Sequence, residues 1–153
     1  MRKTIFYFVL GLLGNVSCKS KVNTYRNDLG VDPATIAQMD SANYTTIEWK
    51  DTLYDFGTVH EGDSVVVRFR FNNSGSRALF ITSAHSTCGC AAVQYPKEAI
   101  LPGDKGEVVA RFMNKYHPGP VRQLVAVTSN TRNGVNHQLS FIGQIADSSS
   151  SVR

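Results

Sequence analysis

The chain has 153 residues, 42% of them hydrophobic and 18% charged, which supplies one domain's worth of material with enough apolar content for a packed core. Sixteen Lys and Arg against 12 Asp and Glu give a formal net charge of +4, but Arg2 and Lys3 fall in the first 17 positions, and without that segment the charge is +2. No Lys/Arg run and no basic stripe interleaved with aromatics remains, so charge patterning excludes nucleic acid as a partner.

The N-terminus reads as a secretion signal. Arg2 and Lys3 precede the apolar stretch "TIFYFVLGLLG", and small or polar residues lead to Cys18 in "GNVSC". The apolar run is well short of the roughly 20 residues that span a bilayer. "GNVSC" also resembles the lipobox of bacterial lipoproteins, with Asn15 in place of the usual aliphatic residue. The resemblance implies removal of residues 1–17 and lipidation of Cys18, which would become the membrane anchor of an exported protein. The following polar segment, residues 18–45, reads as a tether. Within it, Asp32 and Pro33 suit an N-cap and a first helical position, which predicts a short helix over 33–39.

From residue 46 the pattern changes to short alternating runs separated by turn residues. In "SVVVRFRFN", Val65, Val67, Phe69 and Phe71 share one face and Arg68 and Arg70 the other, the mark of a half-buried strand. Val108, Ala110 and Phe112 repeat the pattern, as do Leu139, Phe141 and Ile145, with Gly143 standing where a side chain would otherwise lie. Val125 and Val127 are expected to point inward as well. The intervening segments "HEGD", "NNSGS", "PKEAILPGDKG", "YHPGP" and "SNTRNG" carry the Gly, Pro, Asn and Asp that turns need. About seven strands over residues 46–146 predict an all-β fold, an immunoglobulin-like antiparallel sandwich, with a disordered tail over 147–153.

The segments "YDFGTVHEGDSVVVRFRFNNSG", "STCGC", "LPGDKGEVVARF" and "SNTRNG" resemble, in order and spacing, the bacterial domain-of-unknown-function 1573 family over residues 53–145. The resemblance implies exported proteins, often lipoproteins, carrying an Ig-like sandwich related to the ASH and major-sperm-protein group. It implies a fold and a compartment rather than a reaction. At the matching positions Gly57 suits a bulge or close backbone approach, Gly62 a turn, and Pro102 with Gly103 the turn before the next strand.

Cys88, Gly89 and Cys90 are the strongest candidates for chemistry. In an extended strand the two thiols share a face with Cα atoms about 6.6 Å apart. That is at the upper limit for a disulfide, and a bridge needs a bend at Gly89. Three readings follow: a structural bridge or packed thiols pinning the loop, a labile redox pair, or a site for a soft ion such as Cu(I) or Zn(II). His85 falls on the opposite face unless the chain turns at Ser86 or Thr87. His60, Glu61 and Asp63 lack zinc-protease spacing and read as a solvated turn, and His117 also lies in a turn. His137 has no acidic neighbour in sequence. Asn43 and Asn72 head glycosylation sequons, which a bacterial lipobox discounts.

No Gly-x-Ser-x-Gly elbow, phosphate-binding glycine loop or paired-carboxylate arrangement is present, so no enzymatic activity and no cofactor are expected. The expected function is a lipid-anchored interaction module of the bacterial cell envelope, facing the periplasm from the outer membrane and binding an envelope protein or polymer. The alternative is thiol-dependent redox or copper handling through Cys88 and Cys90.

Overall fold

The alternation of apolar and polar residues produces two packed sheets. The computed structural model describes residues 30–113 and 118–147. One sheet has the order β1 (Ile47–Trp49), β3 (Ser64–Asn73), β6 (Lys105–Met113), β5 (Ala91–Gln94). The other has the order β2 (Leu53–His60), β8 (Asn136–Ala146), β7 (Gly119–Ser129), β4 (Ile81–Ser86). All pairings are antiparallel except β2 with β8. This is an immunoglobulin-like sandwich with eight strands among the described residues. The expected count was about seven. The difference arises because the first strand divides: β1 pairs with β3 in one sheet, the chain crosses over at residues 50–52, and β2 pairs with β8 in the other.

The inward faces follow the period of 2. Val65, Val67, Phe69 and Phe71 are buried, and Ser64, Val66, Arg68 and Arg70 between them are exposed. Val108, Ala110 and Phe112 of β6, Val125 and Val127 of β7, and Leu139, Phe141 and Ile145 of β8 complete the core. Phe56, Phe112 and Phe141 form an aromatic cluster with ring centroids 5.6 to 6.3 Å apart.

Glycines shape this core at two places. Phe56 and Val59 both pack against it although they stand three positions apart, a spacing that would place them on opposite faces of a regular strand. The register of β2 on β8 shifts between Asp55 and Thr58, and Gly57 takes φ +70° within that bulge, which restores both side chains to the same face. At Gly143 an added Cβ would lie 2.2 Å from the Phe56 ring, so the missing side chain is the space that ring occupies. Gly62 (φ +90°) and Gly103 (φ +85°) sit in turns, the second closed by the Asp104 N–H donating to the Leu101 carbonyl at 2.9 Å.

The helix α1 spans Pro33–Met39, with the Asp32 carbonyl accepting from the Ile36 N–H at 3.2 Å and the Asp32 side chain making no capping bond. It packs against β4 with Ala34 and Ala37 buried. A 3₁₀ turn, Ser41–Asn43, follows. Thr45 is buried, bridges to Thr131 and donates its hydroxyl to Asn73 Oδ1 at 2.8 Å. Residues 33–45 therefore belong to the folded unit, and its start lies upstream of the residue 46 expected from alternation. Periodicity misses this because a docked short helix with two small buried residues leaves no alternating signature. The signal segment 1–17, Cys18, the first part of the tether, His117 and residues 148–153 lie outside the described residues. Among the described residues no helix is long and apolar enough to cross a membrane.

Candidate functional site

The Cys-Gly-Cys segment is the crossover between the sheets. β4 ends at Ser86, and the Thr87 N–H donates to the Leu124 carbonyl of β7 at 3.2 Å. β5 begins at Ala91, which pairs with Phe112 of β6 in the other sheet. Between those two attachments the chain must reverse in three residues. Gly89 does so with φ +66°, a conformation that a side chain disfavours, although open space surrounds it. The bend brings the Cα atoms of Cys88 and Cys90 to 5.2 Å, and the two are joined as a disulfide. This geometry replaces the extended strand, with its wider separation, that sequence spacing alone suggests.

The two sulfurs differ in surroundings. Cys88 is exposed, whereas Cys90 is half-buried and packs against the hydrophobic core. The Cys90 N–H donates to Cys88 Sγ at 3.2 Å, and the Ser86 hydroxyl lies 3.1 Å from the same sulfur. His85 is exposed on β4, and the described residues bring no third His, Cys, Asp or Glu into a ligand group with the pair. Two ligands fall short of the four that close a structural zinc site. His60 and Asp63 approach at 3.8 Å across the exposed Gly62 turn, with the His60 N–H capped by the Asp63 carboxylate at 2.8 Å.

A second polar cluster lies at the C-terminal end of β7, five residues beyond the attachment at Leu124. His137 Nε2 is 3.0 Å from Ser129 Oγ and 2.9 Å from Thr131 Oγ1, and its ring packs 5.8 Å from that of Trp49. The contact has the elements of a nucleophile and its base, but Ser129 has 0% exposure and Thr131 1%. A substrate cannot reach the hydroxyl, and Thr131 itself donates to the Gly134 carbonyl. The cluster closes the β7–β8 turn. Burial lowers the His137 pKa below its ordinary 6.5, so the fold favours neutral imidazole. An unfolded histidine binds a proton as pH falls through about 6.5 while the folded one resists. This linkage removes stability as pH drops below that value and leaves it unchanged above. His137→Gln should flatten the profile of unfolding midpoint against pH between about 6.5 and 5; an unchanged slope in the variant would contradict the assignment.

The segments "NNSGS" and "SNTRNG" read as turns, yet Asn73 and Asn130 within them are both buried at 0% exposure. Asn73 Nδ2 donates to the carbonyls of Arg77 and Ile100 at 2.7 and 2.9 Å, while Oδ1 accepts from Thr45 and the Gly75 N–H. Asn130 Nδ2 donates to the carbonyls of Asn43 and Ala78, and Oδ1 accepts from the Phe80 N–H at 2.8 Å. Each amide replaces the missing ladder partners of loop backbone at the sandwich end. The signal for them was the placement of both residues in family motifs, "NNSG" and "SNTRNG". Asn73 is therefore a packed side chain.

The outer face of the β1–β3–β6–β5 sheet carries a group of exposed charges. Lys50, Arg68, Arg70, Lys105 and Arg111 are exposed on it, and an open depression of about 400 Å³ there is lined by Lys50, Arg70, Phe71, Lys105, Gly106 and Glu107. Arg70 pairs with Asp51 at 2.8 Å and Arg68 with Glu107, and Asn72 Nδ2 donates to Glu48 at 3.0 Å. Hydrogen bonding and charge from Arg70 hold the Asp51 carboxyl below its usual range.

Among solved structures, a protein of unknown function from Porphyromonas gingivalis W83 aligns with a TM-score of 0.60 and 13% identity, covering 69% of this chain and 49% of that one. This chain thus spans about half the length of that protein. The ASH/PapD-like domain of human CEP192, its PapD-like domain 7, aligns with a TM-score of 0.52 and 13% identity over 69% of this chain and 89% of that domain. The secreted serine protease VesC of Vibrio cholerae aligns with a TM-score of 0.50 and 12% identity, over 74% of this chain and 25% of that one. At these identities the similarity is one of fold alone. No curated protein matches the chain. The model of a protein family of unknown function, DUF1573, matches residues 47–145, the span from the first strand to the end of the last, and the chain belongs to that family.

Proposed function

We propose that this protein is an exported, lipid-anchored, non-enzymatic Ig-like interaction module of the bacterial cell envelope, held by acylated Cys18 and facing the periplasm. Family membership and the ASH/PapD-like fold support an interaction domain. The near-lipobox before Cys18 supports the anchor. The observation that carries the binding reading is the outer face of the β1–β3–β6–β5 sheet, which presents five exposed cations, three of them (Lys50, Arg70 and Lys105) lining an open depression with Glu107. Arg68 and Arg70 are paired with Glu107 and Asp51, while Lys50, Lys105 and Arg111 keep the face net positive, and the partner is accordingly an envelope protein or polymer with anionic groups.

Two measurements test the two halves of this proposal. Cys18→Ala should move the protein from the membrane to the soluble fraction, and a variant that stays membrane-bound shows that the anchor lies elsewhere. Crosslinking in the intact envelope should capture a defined partner, with capture reduced at least about tenfold by Lys105→Glu combined with Arg111→Glu, since charge reversal replaces attraction by repulsion. Undiminished capture would place the interface on another surface.

A further inference from the structure

We infer that the Cys88–Cys90 pair exchanges with thiols, that Cys88 Sγ is the atom attacked, and that Cys90 Sγ is the resolving sulfur. This activity goes beyond the interaction role proposed above and does not depend on it. The two cysteines are separated by one residue, sit in a surface turn, and present unequal sulfurs: Cys88 exposed, Cys90 against the core. An attacking thiolate must approach the sulfur it strikes from the side opposite the bond it breaks. Cys90, half-buried against the core, is less open to that approach than Cys88, which is exposed.

The exchange is complete with a dithiol as the other reactant. One client thiolate attacks Cys88 Sγ, the Cys88–Cys90 bond breaks, and its electron pair leaves on Cys90 Sγ, which takes up a proton. The second client thiolate then attacks the client sulfur of the mixed disulfide and expels Cys88 as a thiolate. The client is oxidised by two electrons and the pair is reduced by two. The surroundings favour the second step: the Cys90 N–H and the Ser86 hydroxyl already point at Cys88 Sγ, and donors to a departing thiolate make it a better leaving group. With a client that has a single thiol, Cys90 reverses the attack and releases it.

Separating the two sulfurs provides the test. Full-length Cys90→Ser and Cys88→Ser proteins are each treated with glutathione disulfide, and the adduct is followed by intact mass. Cys88, in the Cys90→Ser protein, should form the adduct at least about tenfold faster, reflecting its exposure and its donors. Ser86→Ala in that background should slow the reaction near neutral pH and move its pH dependence upward, as loss of a donor to the thiolate requires. In the wild-type protein, dithiothreitol should reduce the pair without denaturant while the aromatic circular dichroism of the core persists. The ring closed by the bridge is minimal, so its loss should leave the fold intact. Equal or reversed adduct rates would overturn the assignment of Cys88. A disulfide that yields to dithiothreitol only after unfolding, or two thiols alkylated in the native protein without any reductant, would overturn the exchange itself, and that wild-type measurement holds even if a serine variant fails to fold.

Discussion

Replacing Phe69 by alanine should destabilise the protein by about 3 to 5 kcal/mol, the range for removing a fully buried aromatic ring. Phe69 has 0% exposure and lies opposite Val108 at the middle of the β3–β6 pairing, so no edge is available through which the core could relax. The cost combines the lost burial of the ring with a cavity that neighbours on two sheets cannot fully close. Urea unfolding should show the loss as a lower midpoint with an unchanged slope. The adjacent Arg68 provides the control. Its side chain is exposed and paired with Glu107 across the strand, and Arg68→Ala should cost under about 1 kcal/mol. A Phe69→Ala loss no larger than that of Arg68→Ala would mean that the two faces of β3 have been exchanged.

The second large effect is expected at Asn130, where the loss is polar. Asn130→Ala removes an acceptor from the Phe80 N–H and donors from the Asn43 and Ala78 carbonyls, leaving three backbone groups without their partner beside a buried position. At roughly 1 to 3 kcal/mol for each such buried group, reduced where water enters the vacated space, the expected cost is about 3 kcal/mol. Asn130→Asp separates this account from simple loss of volume. The substitution keeps the shape but turns a carboxylate oxygen toward two carbonyls. It should destabilise at least as much as alanine at neutral pH. Its deficit should shrink as pH falls, because the folded environment raises the introduced carboxyl's pKa and protonation restores one donor. A near-neutral Asn130→Asp variant would show that the amide hydrogen bonds contribute little. Because one of its partners is Asn43, the Asn130→Ala variant should also loosen the 3₁₀ turn and the α1 attachment, visible as faster amide exchange there than in β3 or β6.

How much of this was legible in advance depends on the range of the interaction that decides each feature. Alternation is local: in β3 the order Val65, Val67, Phe69, Phe71 against Arg68 and Arg70 specifies an inward and an outward face whatever the strand pairs with, and the structure buries the first set and exposes the second. Turn glycines are local for the same reason. Gly57, Gly62, Gly89 and Gly103 all take positive φ, a backbone requirement that a single residue type announces. Family motifs, the sandwich class and the helix at Pro33–Met39 were likewise readable from short segments.

Other features required the assembled molecule. The first strand divides between two sheets because β3 and β8 each offer it an edge, and nothing within residues 47–60 states that choice. Asn73 and Asn130 look like any turn asparagine. Their burial follows from the loop carbonyls and N–H groups that the closing sandwich traps around them, up to 87 residues away in sequence. Burial also sets the inaccessibility of Ser129, whose contact with His137 would otherwise suggest a nucleophile. At the cysteines, the sequence determined that two thiols flank a glycine. The bend, and the difference between an exposed Cys88 and a core-packed Cys90, came from attaching one end of the turn to β7 and the other to β6 in the opposite sheet, a constraint that exists only once both sheets have formed.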